Sequence, residues 1–137
     1  MATLLLKTEP GEYSWGDLVR EKRCVWTGVT NNAAQKAMRE AKEGDEALLY
    51  HTGDEKRIVG LATIASDPYP DPDDETGKRV VFDLKPVRAA KTPEKATLAL
   101  IKADGRFADF ALVKQSRLSV MHVPAAIGAA LRKMAGV

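Results

Sequence analysis

Cysteine is nearly missing from this sequence: of 137 residues only Cys24 carries a thiol. A disulfide framework within the chain and a cysteine-based zinc site are both excluded. Charge of one sign is also scarce, with 21 Lys and Arg against 19 Asp and Glu. A net charge of +2 does not by itself point to nucleic acid; the basic residues would have to gather on one face. No apolar run approaches the ~20 residues of a membrane span. Ala2–Leu6 is too short for a secretory signal and lacks a basic lead-in. The expectation is a soluble, cytoplasmic protein.

Catalytic signatures are absent as well. There is no G-x-G-x-x-G, Walker A, H-E-x-x-H or G-x-S-x-G segment. His51 and His122 have no second His or Cys at ligand spacing, so a zinc deaminase lacks its ligands and no metal or cofactor is expected. Cys24 lies between Arg23 and Val25-Trp26, a strand-like setting that suits a small buried hydrophobe better than a nucleophile. Asp71, Asp73, Asp74 and Glu75 lack the glycine and closing Glu of a calcium loop and read as solvated.

What is present suits one globular domain over residues 1–137, at 45% hydrophobic and 29% charged. Ala2–Lys7 reads as a buried strand stopped by Glu9-Pro10-Gly11. Ser14 with Asp17 three residues on forms an acidic capping box for a short helix. Asn32 and Gln35 predict a second capping box, and Ala34, Ala37, Met38 and Ala41 give its helix one apolar stripe, with Gly44 as the left-handed stop. Lys36 with Glu40, and Arg39 with Glu43, are spaced for ion pairs on the outer face.

Glu46–His51 and Arg57–Ser66 predict a hairpin, with Gly60 marking a bulge or a close approach. Asp67–Asp74 holds three prolines and reads as a stiff irregular loop. Lys78–Val87 alternates as a half-buried strand with Pro86 at an edge or bulge. Leu98–Ala103, Arg117–Met121 and Pro124–Ala135 read as helix, strand and helix. Strands interrupted by short helices, without regular alternation, predict an α+β fold with a strongly bent sheet or small barrel.

Aromatics are few, 6% of the chain, yet Tyr13, Trp15, Trp26, Tyr50 and Tyr69 all fall at element ends or in turns. There they can serve as stacking platforms or as ordinary edges of the core.

Five segments, in order along the chain, carry a family resemblance. Leu5-Leu6-Lys7-Thr8-Glu9-Pro10 followed by Tyr13-Ser14-Trp15-Gly16-Asp17-Leu18 resembles the opening of EVE-domain proteins. Trp26-Thr27-Gly28-Val29-Thr30-Asn31, Leu49-Tyr50-His51-Thr52, Tyr69-Pro70-Asp71-Pro72 and Gln115-Ser116-Arg117-Leu118-Ser119-Val120 follow at matching separations. Thr30 stands where many members carry Arg, and His122 where Pro is frequent. The resemblance implies a PUA-like pseudo-barrel with flanking short helices, similar to the YTH domain, a reader of methylated adenine. It further implies that Trp26 walls a base-holding pocket with Lys7 and Thr8 at its floor or rim.

The expected function is therefore a nucleic-acid binding module, not an enzyme, holding one modified base flipped out of DNA or RNA. Trp26, with Thr27 and Gly28 beside it, would hold the base, and Tyr69 on the stiff loop would be a second wall. Thr8, Asn31, Tyr50, His51 and Thr52 would bond its edge; Lys7, Lys36 and Arg117 would meet phosphate. Three of these have plainer readings: Asn31 as a helix cap, His51 as a satisfied structural histidine, Thr52 as a turn former. Two other functions stay open. One is an enzyme acting on a base or nucleotide, using His51, Glu9 or Asp71 as acid or base. The other is a small-ligand or protein-binding module on the same scaffold.

Overall fold

The computed structural model describes all residues, 1–137. Seven strands form one sheet: β1 (Thr3–Thr8), β2 (Cys24–Trp26), β3 (Glu46–His51), β4 (Arg57–Ile64), β5 (Tyr69–Pro70), β6 (Val80–Ala89) and β7 (Val120–His122). The order is β2-β6-β4-β3-β1-β7, with β5 paired to β6. Only β1 and β3 run parallel; every other pairing is antiparallel. The helices are α1 (Trp15–Glu21), α2 (Asn32–Glu40), α3 (Leu98–Ala103), α4 (Ala111–Lys114) and α5 (Ala125–Ala135).

The sheet is buried on both faces, which explains its unbroken apolar runs. Along β1, Leu4 and Leu6 enter one core and Leu5 the other; along β3, Ala47 and Leu49 alternate with Leu48 and Tyr50 in the same way. The first core is closed by α1 through Leu18 and by the Ala34, Ala37 and Met38 stripe of α2. The second is closed by α3, α4 and α5 through Ile101, Leu112 and Leu131. The short helices α4 and the 3-10 turn Gly105–Phe107 carry no periodicity long enough to show in sequence.

Gly60 marks both a bulge and a close approach. The β3–β4 register shifts beside it, between Leu49 and Tyr50. The Trp15 ring lies so near that a Cβ at position 60 would stand 2.5–2.7 Å from its carbons. A second shift, between Leu61 and Ala62, sits opposite Pro86.

Four expectations for α2 need correction. The cap of α2 is Asn31, whose Oδ1 accepts the Ala34 N–H at 3.0 Å, not Asn32. The helix stops at Glu40 rather than Gly44, because competing acceptors claim the next amides: Asp45 takes the Lys42 N–H and Asp67 the Glu43 N–H. Gln35 does not close a capping box. It is 3% exposed; its Nε2 donates to the carbonyls of Val29 (2.9 Å) and Val80 (3.1 Å), and its Oε1 accepts the Val80 N–H (2.9 Å). One amide thus ties the Trp26–Asn31 loop to β6. The spaced charges do not pair along the helix: of Lys36, Arg39, Glu40 and Glu43 only Glu40 has an ionic partner, His122 at 3.4 Å. In the proline loop, Tyr69–Pro70 makes a two-residue strand against Val80 and Val81.

Candidate functional site

The edge strand β2 ends at Trp26, whose indole turns inward into the first core and is 7% exposed. Beyond it Gly28 takes φ +79°, a left-handed turn with open space where a side chain would be. The chain then runs to the Asn31 cap. None of the backbone N–H groups of Thr27, Gly28, Val29 and Thr30 has a partner within the chain.

This loop borders a cavity of about 320 Å³. On one side stand Cys24, Val25, Trp26, Thr27, Gly28 and Val29; on the other, Lys7, Thr8, Glu9, Glu12, Tyr13 and Ser119. Tyr13 meets the Trp26 ring edge-on, centroids 6.1 Å apart and planes at 81°. Its phenol donates to Glu21 Oε2 at 3.1 Å, and its carbonyl accepts the Thr8 hydroxyl at 2.7 Å. Burial, with the nearby thiol and carboxylate, keeps the phenol protonated far above its ordinary range.

The charges of the cavity are mostly spoken for. Lys7 Nζ donates to the Ser116 carbonyl at 3.0 Å and lies 5.9 Å from the Tyr50 ring centroid; burial lowers its pKa. Glu9 accepts from Gly11 N–H and the Thr52 hydroxyl. Burial pushes the Cys24 thiol up, which disfavours the thiolate a nucleophile needs. What the site can do is hold a flat, largely apolar group against aromatic surface while offering backbone donors and carboxylate acceptors to its edges.

Of the residues singled out in sequence, Trp26, Thr27, Gly28, Thr8 and Lys7 line the cavity. Tyr50, His51, Thr52, Tyr69 and Asn31 do not. Tyr50 is 2% exposed in the second core, on the sheet face opposite Trp26. His51 is buried, its Nε2 accepting the Trp15 N–H (3.0 Å) and its Nδ1 facing Glu55 Oε1 (3.1 Å). Thr52 bonds Thr8 and Glu9 across the strand ends. Tyr69 donates to Asp83 at 2.6 Å, which raises its pKa to about 12. That hydroxyl bond ties the ring to β6, and Tyr69 contributes nothing to the cavity wall.

Asn31 and Arg117 line a neighbouring depression of about 310 Å³ with Lys114 and Ser116. Lys36 lines a third, beside Glu40 and His122. The segment Ser116–Ser119 connects the first two, with Ser119 in the cavity and Ser116, Arg117 and Leu118 in the depression.

Sequence reasoning named Tyr13 only as a general stacking candidate and Glu9 only as an acid or base of the enzyme alternative, and it missed Glu12, Cys24, Val25, Val29 and Ser119 as lining residues. Tyr13 carried a signal, an aromatic at a helix start. Glu12 carried none, since only the turn at Pro10-Gly11 brings it to the cavity. No group of three His, Cys, Asp or Glu side chains is placed to hold a metal ion. No helix is long and apolar enough to cross a membrane.

The EVE domain family matches residues 2–134. A protein of Rhodopseudomonas palustris, solved by NMR, is 43% identical with a TM-score of 0.92, covering 99% of this chain and 94% of that one. Human thymocyte nuclear protein 1, solved in complex with DNA containing 5-methylcytosine, is 24% identical with a TM-score of 0.85, covering 98% of each chain. The YTH domain of Zygosaccharomyces rouxii MRB1 protein, solved with N6-methyladenosine RNA, is 18% identical with a TM-score of 0.57, covering 97% and 85%. No curated protein sequence matches the chain. The curled mixed sheet with its short flanking helices is the PUA-like arrangement these relatives share, and with a match over nearly its whole length the chain belongs to the EVE domain family.

Proposed function

We propose that this chain is a nucleic-acid binding module that receives one modified base, turned out of its stack, in the cavity beside Trp26. The observation that carries the reading is the conjunction at that cavity of an indole, an edge-on phenol and a loop of unpartnered backbone donors. A volume near 320 Å³ suits one nucleoside and not a length of strand. Relatives of the same fold add support, one crystallised with methylated DNA and one with methylated RNA.

Magnitudes limit how the site can select. Stacking contributes about 1–3 kcal/mol per base whatever the sequence. Burying one methyl adds about 0.8 kcal/mol, near fourfold in affinity. Sharp selection must therefore come from polar groups left unpaired by the wrong base. Thr27, Ser119, the loop amides and the Glu9 and Glu12 carboxylates supply those groups in place of His51, Thr52 and Asn31. Phosphate contact falls to Arg117 and Lys36, which are exposed, more than to Lys7, whose ammonium is already engaged.

The module is proposed to bind without chemistry. Glu9 is held by two donors and the Cys24 thiol is disfavoured as a thiolate, which leaves Glu12 as the one lining carboxylate free to act as a base and no nucleophile beside it. Titration of oligonucleotides carrying methylated and plain cytosine or adenine tests the reading. Saturable binding with a preference among them is expected. Equal affinity for free nucleosides, with no gain from flanking nucleotides, would instead indicate a small-ligand site, and release of altered base would indicate an enzyme.

A further inference from the structure

The best-determined polar side chain near the cavity is one that does not touch it. His51 ends β3, is 6% exposed, and uses both ring nitrogens. The Trp15 backbone N–H can only donate, so Nε2, 3.0 Å away, must be the acceptor. The ring proton then sits on Nδ1, directed at Glu55 Oε1 3.1 Å away. This is the neutral imidazole in one fixed tautomer.

The contact governs the cavity wall. Thr8 and His51 are register partners on the adjacent strands β1 and β3. Thr8 donates to the Tyr13 carbonyl and His51 accepts from the Trp15 amide, so neighbouring residues clip the chain on either side of Ser14. The Trp15 ring is pressed on Gly60 and the Tyr13 ring stands edge-on to Trp26. The Tyr13 wall is thus held at its own residue by Glu9 and Thr8 of the cavity rim and by Glu21, and behind it, at Trp15, by His51 from outside the cavity.

We propose that His51 is a positioning residue whose protonation releases the Tyr13 wall. With a second ring proton, Nε2 becomes a donor facing the Trp15 donor, and that hydrogen bond cannot form. The charged groups around the ring act in both directions, the Glu55 carboxylate favouring the imidazolium and the Arg57 guanidinium, with burial, disfavouring it. Glu55 gains an ion pair with the imidazolium; Arg57, opposite His51 on β4, is itself paired to Glu55 at 3.4 Å. Glu9, after β1, is held by Thr52, and on α1 Asp17 is held by Ser14 and Arg20. Tyr13 and Trp15 pack on the edge of the first core without belonging to its buried set, so the sheet stays folded while the clip opens. The consequence for ligand rests on the binding reading above; the opening itself does not.

Amide and ring NMR of the full chain, with the His51 ring resonances followed as the pH is lowered, decides it. The expected result is that the Trp15 amide loses hydrogen-exchange protection, and the Tyr13–Trp26 ring contact weakens, along the titration of the His51 ring itself. In His51→Gln, whose side-chain oxygen can accept the same N–H without titrating, both signals stay flat. Glu55→Gln keeps the clip but moves its opening to lower pH, which keeps the test open should His51→Gln not fold. A Trp15 amide that stays protected while His51 becomes protonated overturns the proposal. Binding of DNA carrying 5-methylcytosine, followed in parallel, should weaken roughly tenfold over the same range in wild type and stay level in His51→Gln. If the wall opens with His51 but no oligonucleotide binds at any pH, the clip stands and the binding reading falls. If DNA binds equally well with His51 neutral and protonated while the amide stays protected, the clip falls alone.

Discussion

Replacing Gly60 by alanine adds one carbon where there is no room for it. That Cβ would lie 2.5, 2.6 and 2.7 Å from three carbons of the Trp15 ring. Relief requires the indole to move by about 1 Å, since carbon pairs settle near 3.5–4.0 Å. Trp15 cannot swing freely: its N–H is held by His51, and Ser14 before it is locked to Asp17 in a reciprocal cap. The cost of such overpacking is about 1–3 kcal/mol. For a chain of this length the unfolding entropy is about 0.29 kcal/mol/K, so Tm should fall by about 3–10 °C. Gly105→Ala, where a Cβ meets nothing and φ is not positive, should change stability by less than about 0.5 kcal/mol. Thermal unfolding followed by circular dichroism, with near-ultraviolet signal from the indoles, measures both. A Gly60→Ala protein as stable as Gly105→Ala would refute the packing of Trp15 on β4, and with it the frame that holds Tyr13.

Gln35→Leu strips hydrogen bonds from Val29 O and both backbone groups of Val80; urea unfolding should show a loss of about 2–5 kcal/mol. Asp74 accepts from Thr76, Lys78 and Arg79, and the Thr76 hydroxyl bond is foremost in holding its pKa at about 2, below its ordinary 3.8. Because the folded value is the lower one, its contribution is full above about pH 3.8 and is lost as pH falls toward 2. The urea midpoints of wild type and Asp74→Asn should therefore differ at pH 6 and converge near pH 2. Arg117→Gln should weaken oligonucleotide binding alike for all sequences and reduce the salt slope by roughly 1, read from titrations at several ionic strengths.

The fold was legible in sequence where local chemistry and tertiary demand agree. The β1 run, the Ser14–Asp17 box and the α5 stripe each formed as their residues indicate. Gly60 announced a close approach, although not that Trp15 made it. The end of α2 was misread because a glycine suggested a stop, while the carboxylates of Asp45 and Asp67, distant in sequence or outside the helix, claimed the amides first. The site was half legible. The Trp26–Gly28 segment was found through resemblance, but His51 and Tyr69 have the same polar, loop-edge appearance as lining residues, and only coordinates show their partners to be Trp15, Glu55 and Asp83. Tyr50 shows the same problem in another form, since a period of two puts it on the far face of the sheet from the cavity.

Trp26→Ala alone would be a poor probe of the cavity, because truncating a buried indole costs about 3–5 kcal/mol of stability whatever it binds. The chain has two tryptophans, one in the cavity wall and one packed on Gly60, so it carries its own control. The most direct measurement is therefore the pair of indole N–H resonances during titration with an oligonucleotide bearing one 5-methylcytosine or one N6-methyladenine. The account predicts that the Trp26 signal shifts and saturates with binding while the Trp15 signal moves far less. An oligonucleotide that binds while the Trp26 resonance stays where it was would contradict it.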